Sequence, residues 1–125
     1  MYRTRPLGLM VATAALALGL TACSDDSSGS GDGSSDQPVT VDITESGGKI
    51  EPVGQVVKAS TGQDITLVVT SDAADEIHVH SDPEHEFEVK AGDQQQKFTF
   101  SVDTPGTIVV ESHELDVTIL KLEVS

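Results

Sequence analysis

Several things are scarce in this sequence, and each scarcity removes a class of function. There is one cysteine among 125 residues, Cys23, so no disulfide forms within the chain. Tryptophan is absent, and the aromatics are Tyr2, Phe87, Phe98 and Phe100. An aromatic cage, a base-stacking platform or an aromatic sugar site is therefore excluded. Lys and Arg number 7 against 21 Asp and Glu, a formal net charge of −14. Nucleic acid is excluded as a partner, because phosphate binding needs clustered basic residues. Electrostatic docking on an anionic membrane surface is excluded on the same ground. The one long uncharged apolar run, residues 7–20, is shorter than the roughly 20 residues a spanning helix needs. No His-Glu-x-x-His, Gly-rich phosphate loop, EF-hand spacing or Ser/His/Asp arrangement occurs, so the chain is expected not to be an enzyme.

What is present begins with a processing signal. Arg3 and Arg5 precede the Leu- and Ala-rich run, which fits the apolar core of a secretory signal. The run ends in Leu20-Thr21-Ala22-Cys23, which resembles the bacterial lipoprotein signal of a Leu, two small residues and a Cys. The resemblance implies a signal peptide over residues 1–22 and a diacylglyceryl group, with palmitate among its acyl chains, on Cys23 as the first mature residue. It implies a lipid-anchored protein on the extracytoplasmic face of the cell membrane. Cleavage removes both arginines and deepens the net charge to −16. Residues 24–37 hold only Ser, Asp, Gly and one Gln. With no apolar side chain to bury, residues 23–37 are expected to be a disordered tether that holds the domain off the headgroups.

Residues 38–125 read as strand throughout. Val39-Thr40-Val41-Asp42-Ile43, Ile65-Thr66-Leu67-Val68-Val69, Ile77-His78-Val79-His80 and Phe98-Thr99-Phe100-Ser101-Val102 carry the period-2 signature. Residues 53–59, 87–89, 107–111 and 117–124 are further strand candidates, the last expected to be central and buried. Gly47-Gly48, Thr61-Gly62, Ala91-Gly92-Asp93 and Pro105-Gly106 supply the turns between them. About eight short, regularly spaced strands predict an all-β Greek-key sandwich. Its core is expected to include Ile65, Leu67, Val69, Phe98, Phe100, Val110, Ile119 and Leu122.

The order of these parts resembles a cupredoxin. The residues that carry the likeness are Gly62-Gln63-Asp64 before the strand at 65–69, Asp75 three before His78, the Phe98-Thr99-Phe100 strand, and Thr104-Pro105-Gly106 leading into 107–110. The resemblance implies a copper site near residues 75–80 and 111–114. In that family the cysteine ligand would fall near Ser112. No cysteine lies in the domain and its methionines are confined to the signal segment, so a blue-copper centre, which needs thiolate, is excluded.

Histidine chemistry remains. His78 and His80 share one face of a strand, while Ile77 and Val79 take the other. If the cupredoxin order holds, His113 approaches from the neighbouring strand end. His78, His80 and His113, with Glu111 or Glu114, form a nitrogen and carboxylate set suited to Cu(II) or Zn(II). His85, beyond the Pro83 turn, is expected to be exposed and dispensable. Residues 72–88 contain seven acids, three histidines and no Lys or Arg, a region that draws cations. The alternative is a solvated polar face on a metal-free β-sandwich, a structural or protein-interaction module at the cell surface. Charged edges also resist aggregation without any ligand.

Overall fold

The computed structural model describes residues 37–125. The signal peptide, Cys23 and all of the tether but Gln37 lie outside the described residues. Nine strands form two sheets: β1 (Val39–Ser46), β2 (Lys49–Glu51), β3 (Gln55–Ala59), β4 (Ile65–Ser71), β5 (Asp75–Val79), β6 (His85–Val89), β7 (Gly92–Phe100), β8 (Gly106–Ser112) and β9 (Val117–Val124). The four-stranded sheet runs β2-β1-β4-β7 and the five-stranded sheet runs β3-β9-β8-β5-β6. β1 pairs with β4, and β3 with β9, in parallel; the other pairs are antiparallel. The architecture is the expected all-β Greek-key sandwich, with β2 as one strand more than the sequence suggested. No helix among the described residues is long and apolar enough to cross a membrane.

Alternation builds the layers. Val41 and Ile43 on β1, Ile65, Leu67 and Val69 on β4, Ile77 and Val79 on β5, and Val110 on β8 all point into one core with Phe100 and Leu122. On β9 both Ile119 and Leu120 are fully buried, although they are consecutive. The ladder explains this: Val110 pairs with Leu120 but Glu111 pairs with Thr118, so Ile119 is the extra residue of a β-bulge. β9 lies between β3 and β8, as its apolar character required. The β1–β2 hairpin turns on Gly47 (φ 59°) and Gly48 (φ 72°). Two positive φ angles are what a two-residue turn matched to strand twist demands.

Phe98, expected among the core, packs against it from the edge. It sits on β7, the last strand of its sheet, and is half-buried. Phe87, on the last strand of the other sheet, stacks on it with ring centroids 5.0 Å apart. The two rings close one open edge of the sandwich. His85 joins them, which corrects its expected exposure. It pairs with Val79 across the ladder, so it shares the inward face with Phe87. Its ring lies 6.0 Å from Phe87 and 5.5 Å from Phe100.

Candidate metal-binding face

β5 alternates through its whole length: Asp75, Ile77 and Val79 are buried, while Glu76 and His78 face outward. Its neighbours set what stands beside them. His78 lies opposite Glu86 on β6 and Glu111 on β8, and Glu76 lies opposite Glu88. Past the strand end, the His80 amide donates to the Val109 carbonyl (2.9 Å) and keeps His80 in line. The His113 amide donates to the Glu76 carbonyl (2.9 Å), which brings the turn after β8 onto the same face.

The rings therefore converge. His78 stacks on His113 with centroids 5.2 Å apart and planes 9° apart. His80 lies 6.2 Å from His78, tilted by 52°. His78 Nε2 pairs with Glu76 Oε1. His80 is held between two carboxylates, Nδ1 3.3 Å from Glu84 and Nε2 3.0 Å from Glu111. Thr118 Oγ1 donates to the other oxygen of Glu111 (3.2 Å). The hydrogen bond to Glu76 raises the His78 pKa above its ordinary 6.5, against some desolvation, and Glu76, Glu86 and Glu84 add to the rise by charge.

Of the residues expected to coordinate, His78, His80, His113 and Glu111 all lie on this outer face. Their ligand atoms do not form one group. Those within 4.8 Å of one another belong to Glu76, His78 and Glu86. His80 turns its two nitrogens to two different carboxylates instead, and the Glu114 amide donates to Asp75 Oδ1 (3.0 Å) while its exposed side chain lines the same surface pocket as Glu76 and Glu88. Glu76 carries the same period-2 signal as His78, two residues earlier on one face. Glu86 follows only from the β5–β6 register, which is centred on the turn at Asp82-Pro83-Glu84.

The position near the family cysteine is closed. Ser112 is buried on the inner face, where its hydroxyl donates to Asp75 Oδ2 (2.6 Å) and its oxygen accepts from the Leu115 amide (3.1 Å). Asp75 Oδ1 also accepts from the Glu76 amide (2.7 Å). His78 projects from the opposite face of β5. A thiolate-type copper site does not fit these residues. One imidazole nitrogen with two carboxylates, on an open surface, does fit a divalent ion that accepts nitrogen and oxygen, such as Zn(II) or Cu(II).

No protein-family model and no curated protein sequence matches the chain. Solved structures do match. Auracyanin from Roseiflexus castenholzii is 14% identical with a TM-score of 0.52, covering 70% of this chain and 97% of its own. Auracyanin A, a "blue" copper protein from Chloroflexus aurantiacus, is 14% identical with a TM-score of 0.55, covering 71% and 100%. A multi-copper oxidase from Pseudomonas thermotolerans is 13% identical with a TM-score of 0.52, covering 73% of this chain and 30% of its own. At such identities the likeness is one of fold, and the domain is a cupredoxin-like sandwich.

Proposed function

We propose that the protein is a lipid-anchored extracytoplasmic binding protein, not an enzyme, whose cupredoxin-like domain holds a divalent transition-metal ion, Cu(II) or Zn(II), on the outer face of its five-stranded sheet. The convergence of Glu76, His78 and Glu86 ligand atoms within 4.8 Å carries this reading. His78 supplies the nitrogen and the two glutamates neutralise the ion. His113 backs the His78 ring by stacking, and His80 with Glu111 stands alongside. The cation also relieves the opposition of Glu76 and Glu88, like charges paired directly across the ladder. The anchor is the lipid on Cys23.

Calorimetric titration of the full chain with Cu(II) and with Zn(II), against a His78→Ala/His80→Ala/His113→Ala version, tests the site. Saturable binding that the triple variant loses supports it, and any copper bound should be nearly colourless, since no thiolate is at hand. Absence of binding with both ions leaves the second reading, a metal-free interaction module. That reading is favoured by β6, an edge strand with Glu84, Glu86 and Glu88 exposed beside it. Anchoring is tested by Cys23→Ala: a variant that still fractionates with membrane in the same cut form overturns it.

A further inference from the structure

At one end of the core the inward stripe turns polar. Glu45 on β1, Ser71 on β4, Asp75 on β5 and Ser112 on β8 are buried there, Glu45 with only 3% of its surface exposed. They make two hydroxyl–carboxyl units, and the units differ in their hydrogen bonds. Asp75 accepts from Ser112 and from two backbone amides. Ser71 Oγ has three neighbours instead. The Ala73 amide donates to it (3.1 Å), the Ala73 carbonyl oxygen lies 2.7 Å away, and Glu45 Oε2 lies 2.8 Å away. A serine hydroxyl has a single proton to give. Ser71 is placed to donate to both the Ala73 carbonyl, which can only accept, and Glu45 Oε2. Both contacts are hydrogen bonds at once only if Glu45 brings a second proton.

We infer that Glu45 is a neutral carboxylic acid in the folded protein, donating to Ser71, and that it serves as a proton-operated latch on the turn from β4 into the histidine strand. The surroundings agree. Burial, chiefly, pushes the Glu45 pKa above 4.5, and the charges of Asp75 and Asp72 and a side-chain hydrogen bond with Asp75 push it further, against the lowering that a proton donated by Ser71 gives the ionised form. Asp75 and Asp72 are the charged groups that face it. On β2 its ladder partner is the apolar Ile50, and on β4 it is Ser71. No Lys or Arg pairs with it among the described residues. Ionisation would set a third carboxylate beside Asp72 and Asp75 and leave two acceptors competing for the one Ser71 proton. The 71–75 turn loosens in consequence. Asp75 at its end also holds the 112–115 turn, so the latch communicates with the segment that carries His113. The sign follows from the raised pKa. The latch is fully closed below pH 4.5 and opens as pH rises through the folded value.

This inference stands whether or not a metal binds. It is tested by following the Glu45 side-chain carboxyl carbon and the Ala73 amide through a pH titration of the full chain by NMR, without added metal. The expected result is a Glu45 midpoint above 4.5, with an Ala73 amide step at the same midpoint. Glu45→Gln, which keeps a donor to Ser71 and cannot ionise, should abolish the Ala73 step. A Glu45 midpoint at or below 4.5 overturns the inference, as does an Ala73 amide that stays flat while Glu45 titrates. Should the Gln variant fail to fold, the wild-type titration decides alone.

Discussion

On the outer face of the four-stranded sheet stand Thr40, Asp42 and Thr44 of β1, Thr66, Val68 and Thr70 of β4, and Lys97 and Thr99 of β7. On the outer face of the five-stranded sheet, the corresponding positions of β5, β6 and β8 hold Glu76, His78, Glu86, Glu88 and Glu111. Both faces arise from the same alternation over the same core. The first uses short β-branched hydroxyls, with one acid and one base flanking Val68 across the ladder, an arrangement that favours the strand and little else. The second sets acid opposite acid, which weakens a sheet. The β5, β6 and β8 part of a sheet that could be covered in threonine is instead loaded with acids around imidazoles, while Lys58 and Lys121 stand on the β3 and β9 part. That contrast sets the candidate metal-binding face on one side of the sandwich.

The deepest way to break the contrast is through what the faces share. Truncating Phe100 or Leu122 to Ala empties the common core and should cost about 3–5 kcal/mol, enough to unfold a marginal domain. Both faces should then be lost in one cooperative transition, monitored by far-UV circular dichroism. Intrinsic fluorescence is of little use, because the domain contains no Trp or Tyr. Loss of the five-stranded sheet with the Thr-rich sheet intact would show that the sheets do not rest on one core.

A smaller effect, confined to one side, is expected from Asp75→Ala. It leaves the Ser112 hydroxyl and the Glu76 and Glu114 amides without their acceptor. A buried group stranded in this way costs roughly 1–3 kcal/mol. Because those donors hold the turn after β8, the His78–His113 stacking should loosen as well. Chemical unfolding gives the first quantity, and histidine ring NMR shifts, compared with Thr66 and Thr99 shifts, give the second. Equal perturbation of both faces would refute the local account.

The sequence shows the fold well because both outer faces are polar, which makes alternation visible in β1, β4, β5 and the end of β7. It hides what alternation does not mark. β2 is three residues long, and the start of β7 is Gly92-Asp93-Gln94-Gln95-Gln96, a polar run that becomes strand through its ladder with β4, where Val69 pairs with Gln96. The approach of His78 to His113 follows from strand period and the order of the strands. The convergence on Glu86 depends on a ladder register, and the docking of the 112–115 turn depends on Asp75, neither of which has a local signal. Glu45 continues the Val41, Ile43 alternation by one step, and a carboxyl in that stripe is easily taken for the strand's end.

On the proposed metal-binding face alone, His78→Ala should weaken Zn(II) or Cu(II) affinity at least tenfold, about 1.4 kcal/mol, while the unfolding midpoint in the absence of metal changes little. Protons compete for the same nitrogen. The His78 pKa is raised by Glu76, so affinity should fall with decreasing pH starting above the ordinary histidine value of 6.5. In the metal-free protein the sign is reversed: the charged His78–Glu76 pair is fully present below 6.5 and lost as pH rises through the folded value. Affinity that is flat with pH, or unchanged in His78→Ala, would remove His78 from the site.

The finest comparison sets one outer position of each sheet against the other. Thr66 Oγ1 lies 2.9 Å from Thr99 Oγ1 across the β4–β7 ladder, and Thr66→Ala should cost roughly 0.2–1 kcal/mol, the range for such cross-strand pairs. Glu88→Gln removes the charge opposite Glu76 and should stabilise the metal-free domain by a few tenths of a kcal/mol, about the size of other exposed charge pairs. Salt separates the two causes. The Debye length shrinks from about 10 Å at 0.1 M to about 3 Å at 1 M, so the gain from Glu88→Gln should fade in high salt while the loss from Thr66→Ala should persist. With saturating Zn(II) the sign at position 88 should approach zero or invert, because a bound cation already neutralises Glu76. A Glu88→Gln effect that ignores both salt and metal would mean that the acidic ladder is no electrostatic burden, and the contrast between the two faces would lose its physical basis.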